Sequence, residues 1–196
     1  RVGPHRLAFD TSTLACLSAQ LAARGSHLLE CAGMAQAVLP ALAKALGAEG
    51  DCSIVCEAIA APEEEAEVAA LRALGLPVHT VWQSSLLHPD DLPFAAADLA
   101  PVFTTFRNAV ERAKVQPRAP LPAPAVLPAL PPEQLWTAFQ CPPTAAQTPA
   151  ARHDPRSSFP HATADFAGGE RAALAHLAQY LARKLPHSYK QTRNGL

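Results

Sequence analysis

The chain has 196 residues, 49% of them apolar and 17% charged, which excludes a wholly disordered polypeptide and suits one domain with a long tail. Sixteen basic against seventeen acidic residues leave a formal charge of -1, removing the electrostatic case for a general nucleic-acid binder but not for a local patch. No run approaches the roughly 18 apolar residues of a membrane span, and the opening at Arg1 lacks the profile of a secretion signal, so the chain reads as an internal piece.

Helical and strand patterns alternate over the first 114 residues. Leu14, Leu17 and Leu21 recur at helical spacing, with Asp10 or Ser12 as the cap and Gly25 as the stop. His27-Leu28-Leu29-Glu30-Cys31 reads as a strand. A second helix follows Gly33, with Val38, Leu39, Leu42 and Leu46 on one face. Pro40 falls near its start, where a missing amide costs least, and Gly47 stops it. Ser53-Ile54-Val55-Cys56 is a short strand of buried character. Pro62 opens a third helix, and Glu63, Glu64 and Glu65 in its first turn face the positive end of the dipole in a solvated capping role. Gly75 closes that helix, and Val78 to Trp82 form a third strand. This is the rhythm of a parallel α/β sheet with helices on both faces. Asp98 to Lys114 continues as a helix carrying Val102, Phe103, Phe106 and Val110.

The composition then changes. Twelve of the twenty prolines lie between Pro117 and Pro160, a density that permits neither helices nor central strands. The stretch reads as an extended connector, partly polyproline-like, with Leu135, Trp136 and Phe139 anchoring one short turn. The last helix is expected from Gly169 to Leu185, with an apolar stripe of Leu174, Leu177, Leu181 and Leu185.

The five cysteines are odd in number and scattered, unlike a secreted disulfide framework. Cys52 and Cys56 lack further ligands nearby for a metal and read as structural, and buried reduced thiols suit an intracellular compartment. The chain has no Gly-rich phosphate loop, nucleophile elbow, His-Glu-x-x-His or calcium loop. Gly168-Gly169 reads as a helix start. Asp90 and Asp91 sit between Pro89 and Pro93 in a rigid turn, with Asp as an amide acceptor. Arg183, Lys184, His187, Lys190 and Arg193 form a basic cluster, read either as helix-end charge or as contact with a phosphate-bearing cofactor. No catalytic or metal-binding residue emerges from these patterns.

Several stretches, in this order, resemble the photolyase/cryptochrome family, in particular its cryptochrome-DASH and plant photolyase-like branch. They are Gly25 to Leu29, Val81-Trp82-Gln83-Ser84-Ser85-Leu86-Leu87-His88-Pro89-Asp90-Asp91-Leu92-Pro93-Phe94, Val102 to Arg107, Phe166 to Leu174, and Tyr189-Lys190-Gln191-Thr192-Arg193-Asn194-Gly195-Leu196. The resemblance implies a split into residues 1–114 as part of an α/β antenna domain, 115–165 as a Pro-rich connector and 166–196 as the start of a helical FAD-binding domain. In such proteins the antenna is often methenyltetrahydrofolate, and light-excited FAD repairs pyrimidine dimers in damaged or single-stranded DNA or serves photoreception. The alternative for this chain is a truncated, non-catalytic antenna-type or interaction domain.

The resemblance also implies what to expect of this piece. The family's first two strands, at the middle of a sheet ordered 3-2-1-4-5, are absent before Arg1, leaving an incomplete Rossmann-like parallel sheet. The strand at His27 to Cys31 then loses its neighbour, while those at Ser53 to Cys56 and Val78 to Trp82 can still pair. A marginally stable fragment is expected, inactive by itself in dimer repair and binding neither FAD nor folate tightly. Glu57, following a strand end, corresponds to a family glutamate that touches the folate antenna. Tyr189 corresponds to a tyrosine lining the flavin. No partner is evident for the fragment itself. An intracellular location is expected, with chloroplast, mitochondrion and nucleus all open.

Overall fold

In the computed structural model, which describes residues 4–47, 52–141 and 167–192, the chain forms two compact units. One is Gly33–Pro124. The other joins Arg1–Ala32 to Ala125–Leu196. Among the described residues no helix is long and apolar enough to cross a membrane.

The unit Gly33–Pro124 is built on two parallel strands, β1 (Ile54–Glu57) and β2 (Val78–Val81), in the register Ile54↔Val78 through Glu57↔Val81. Each strand sits slightly away from its expected span: Ser53 drops out, Glu57 joins, and Trp82 lies just past β2. The register explains this, since the ladder begins where Ile54 N donates to Pro77 O (2.8 Å). Helix α3 (Pro62–Ala73) links the strands and packs on β2 and on α2 (Ala35–Ala45). Pro62 occupies the first helical position and the three glutamates follow in the first turn, as the sequence suggests. At its far end Gly75, with φ +80°, forms a Schellman motif: Leu76 N donates to Leu71 O and Gly75 N to Arg72 O. Pro40 lies in the second turn of α2 rather than near its start, because α2 begins at Ala35. The Gln36 carbonyl therefore lacks its usual i+4 amide.

The core of this unit is thin. Ala43, Leu71 and Val78 are the only apolar residues below a tenth exposed among those described. In β1, Ile54 and Cys56 are half-buried, but Val55 is 66% exposed, so the expectation of a buried strand is corrected. Parallel strands are normally covered on both faces. Among the described residues the expected helices on both faces are not realised, and Val55 and Val81 are 66% and 43% exposed. Helix α4 is shorter than expected, Phe103–Ala113, since residues 96–98 form a separate 3-10 turn. Phe106 packs edge-on against Phe94 (5.8 Å between ring centroids) and stacks with Phe103. Lys114 ends α4 in the left-handed region (φ +54°), the place glycine takes after α3.

In the other unit, α1 runs Pro4–Ala22, so Asp10 and Ser12 lie inside the helix and cap nothing. Ser12 and Thr13 hydroxyls instead donate back to the Phe9 carbonyl (2.9 Å each), a bond that a helix interior tolerates. Gly25 closes α1 with a second Schellman pair, Ser26 N to Leu21 O and Gly25 N to Ala22 O. The segment His27 to Cys31 forms no strand, contrary to expectation, because no neighbouring strand offers it a ladder among the described residues. It is held by the proline-rich connector. Leu127 N donates to Arg24 O (2.9 Å), Trp136 packs on His27 (4.6 Å between rings), and Cys141 N donates to Glu30 O (2.8 Å). Two 3-10 turns, Glu133–Leu135 and Thr137–Phe139, put Leu135, Trp136 and Phe139 half-buried, as their anchoring role requires. The connector from 142 to 165 lies outside the described residues.

Helix α5 (Glu170–Ala182) docks on α1 through Gly168 and Gly169. A side chain at Gly168 would collide with Phe9 O and the Ser12 and Thr13 hydroxyls. One at Gly169 (φ +103°) would come within 2.6 Å of Cys16 Cβ. The glycine pair thus serves a close helix approach. The helix stops at Ala182 rather than Leu185, because Lys184 turns left-handed (φ +54°) and Pro186 disfavours helical geometry before it. Leu185 falls into the 3-10 turn Leu185–Ser188, and a short helix α6 (Tyr189–Thr192) follows. Leu174, Leu177 and Leu181 form the expected stripe, each half exposed or more.

Candidate functional site

A parallel sheet places ligands beyond the carboxyl ends of its strands, where the chain leaves the ladder and side chains from successive loops converge. In Gly33–Pro124 that position holds a cavity of about 380 Å³, lined among others by Glu57, Glu64, Glu65, Arg72, Thr80 and Trp82. Glu57 is the last residue of β1, and Trp82 follows the last residue of β2. The ladder continues one step past Glu57: Ala58 N donates to Val81 O (2.9 Å), which sets Trp82 opposite Ala58, one step beyond the Glu57–Val81 pair.

Ser84 secures the glutamate. Its hydroxyl lies 2.9 Å from Glu57 Oε1 and 3.0 Å from Ala58 O, and shares its single proton between them. Trp82 is steadied by its own indole N–H, which donates to Ser85 Oγ (2.8 Å). Arg72 is committed elsewhere, donating to the Val78 carbonyl (3.0 Å). Glu63 and Glu65 are exposed, as a capping role requires, but Glu64 is not: its Oε2 is enclosed and has no hydrogen-bond partner. The solvated reading of all three glutamates is therefore corrected at Glu64. The cavity offers a fixed carboxylate at Glu57, an unsatisfied acceptor at Glu64 and an indole wall.

The family resemblance singles out Glu57, and the fold places Glu64, Trp82 and Ser84 around it. Glu64 was hidden inside a capping triplet. Ser84 stands 27 positions from Glu57, and only the strand register brings them together. Tyr189 opens α6 and is 59% exposed. Of the basic cluster, Arg183 and Lys184 stand at the C-terminal end of α5, where the dipole favours them, and Arg193 lies outside the described residues.

The Asp90-Asp91 turn departs from its expected role. It is a 3-10 turn, Pro89–Asp91, but the amide acceptor is His88 Nδ1, which takes the Asp90 N–H (3.2 Å). Asp91 instead grips Arg118 with both oxygens, at 2.6 Å from Nε and 2.8 Å from Nη2. The guanidinium holds the Asp91 carboxyl below its ordinary range and raises Arg118 in turn. The cysteines are all free thiols, and none is fully buried: Cys31 is exposed and the other four are half-buried, which corrects the expectation of buried thiols. Cys16 faces the N-terminus of α5. A hydrogen bond from Gln20 (3.3 Å) and the backbone amides of Arg171 and Glu170 lower its pKa. Among the described residues no group of three His, Cys, Asp or Glu side chains is placed to hold a metal ion.

Comparison with known proteins gives consistent matches. The family model for DNA photolyase matches residues 1–125. Cryptochrome DASH of Gloeobacter violaceus is 39% identical over 203 residues, a match that takes in 100% of this chain and 38% of that protein. Cryptochrome DASH of Xenopus laevis is 36% identical over 211 residues, with 100% and 37% covered. A crystal structure of a Synechocystis cryptochrome superposes with a TM-score of 0.73 at 29% identity, over 99% of this chain and 39% of that one. The chain thus spans about two fifths of the length of the curated relatives it matches.

Proposed function

Since the chain belongs to the DNA photolyase family, we propose that it forms the antenna-side portion of a cryptochrome-DASH-like blue-light flavoprotein, with the Glu57 cavity receiving the flat head of a folate chromophore. One observation supports this reading: the glutamate that the sequence singles out ends β1 at the carboxyl edge of the sheet and lines a cavity with an indole and an unpaired buried acceptor. The organisation that goes with it is an antenna domain over residues 1–114, a connector over 115–165 and the start of a flavin domain over 166–196.

The residues fit one end of a folate and not the other. A pterin ring is planar and rich in N–H donors, which suits Glu57, the unsatisfied Glu64 Oε2 and the face of Trp82. The glutamate tail is anionic and meets the carboxylates of Glu57, Glu64 and Glu65, which outnumber the single guanidinium of Arg72. The tail therefore points away from the cavity. A bound folate supplies light absorption. The chain's part is to orient the ring, through a carboxylate that Ser84 holds in place. Light-driven repair of single-stranded or damaged DNA, or photoreception, belongs to the whole protein under this reading.

Titration of methenyltetrahydrofolate fluorescence with the chain tests the site. Weak, saturable quenching is expected, reduced about tenfold in affinity by Glu57→Gln, the worth of one charge-assisted hydrogen bond. Quenching that Glu57→Gln leaves unchanged would remove Glu57 from the site.

A further inference from the structure

The connector returns along the Arg24 to Cys31 segment with both chains ascending together. Leu127 meets Arg24, Trp136 and Gln140 meet His27, and Cys141 meets Glu30. Cys141 N donates to Glu30 O (2.8 Å), so Cys141 lies beside Cys31, the next residue along. That bond and the trans peptide between Glu30 and Cys31 hold the two Cα atoms within about 7 Å of each other, next to the range of about 4.4–6.8 Å that a disulfide spans. Both are free thiols, Cys31 exposed and Cys141 half-buried, and a small oxidant reaches them.

We propose that Cys31 and Cys141 are a redox pair whose disulfide clasps the proline-rich connector to the segment that lacks a strand partner. The oxidant is a low-molecular-weight disulfide of the glutathione class. One cysteine thiolate attacks it, forming a mixed disulfide and releasing one small thiol. The second cysteine thiolate then attacks the mixed disulfide, forming the Cys31–Cys141 bond and releasing the second small thiol. The protein gives up two electrons and two protons, and the small disulfide is reduced to two thiols. Burial by surrounding atoms, then the neighbouring Cys141, raise the Cys31 thiol above its ordinary pKa. Less Cys31 thiolate exists at neutral pH, so exchange accelerates as pH rises.

The bond has a physical consequence. The connector is held by backbone bonds, the Trp136–His27 ring contact and the His27–Gln140 hydrogen bond, while a covalent link between residues 31 and 141 closes a long loop and restricts the unfolded chain. The oxidised protein should resist urea better than the reduced one.

The test is oxidation of the full chain with glutathione disulfide, followed by thiol counting and peptide mapping. Two of the five thiols should be lost as a single Cys31–Cys141 crosslink, formed at least about tenfold faster than any other pair. Cys31→Ser and Cys141→Ser should each abolish it, while Cys52→Ser should not. In concentrated urea the preference should vanish, a control on the wild-type sequence that does not depend on how any variant folds. Mixed disulfides alone at both positions, crosslinks to other cysteines in equal yield, or the same preference in urea would each overturn the proposal.

Discussion

Leu71→Ala is the sharpest probe of the thin core. Leu71 is 4% exposed on α3, the helix that packs on α2 and β2, whose Ala43 and Val78 are 7% and 9% exposed. Truncation removes about three carbon groups at roughly 0.8 kcal/mol each, and a rigid site adds a cavity penalty that brings the total to about 2.7–5 kcal/mol. With no other buried apolar residue described, the neighbours can collapse into the gap, which holds the cost near the lower end, about 3 kcal/mol. An ordinary domain has about 5–15 kcal/mol in hand, and a core of three small and medium side chains sits at or below that floor. Leu71→Ala should therefore abolish the cooperative part of a urea transition followed by far-ultraviolet circular dichroism. Val55→Ala, on the same sheet but 66% exposed, should stay within about 0.5 kcal/mol of the parent. Equal costs for the two substitutions would refute the assignment of the core, and a steep parent transition well above room temperature would refute its thinness.

Three further outcomes follow. Asp91 has a depressed pKa in the folded chain, so the stability from its pair with Arg118 is present above its unfolded pKa and fades as pH falls through the folded one. Below about pH 4 the parent's urea midpoint should drop more steeply than that of Asp91→Asn. Lys114→Gly should stabilise the chain by about 0.5–1 kcal/mol in the same titration, since lysine holds a left-handed position that glycine takes without strain. Gly169→Ala should push α5 away from α1 and remove the amides that face Cys16, so iodoacetamide alkylation of Cys16 at neutral pH should slow toward that of an ordinary thiol.

What the sequence discloses is what local chemistry decides. Gly25 and Gly75 end their helices because a Schellman turn needs a left-handed residue, and Pro62 starts one because its missing amide is harmless there. Where the answer depends on distant residues, local reading fails. Asp10 and Ser12 look like caps, yet α1 extends back to Pro4. His27 to Cys31 has strand composition but no ladder to join among the described residues, and a strand exists only with a partner. Arg118 sits in a proline run with nothing nearby to mark it, and its partner Asp91 is 27 positions away. The site divides in the same way. Glu57 was readable through its strand and the family resemblance, whereas its pairing with Ser84 and the enclosure of Glu64 arise from a register no local pattern states.

The account rests on the Glu57 cavity being an antenna site in a light-absorbing protein. The direct measurement is the absorption spectrum of the longest natural product of this gene, recorded with Glu57 intact and as Glu57→Gln. Flavin bands are expected in both, with a separate near-ultraviolet folate band that weakens or disappears in Glu57→Gln while the flavin bands hold. A colourless protein, or a folate band indifferent to Glu57, would contradict it.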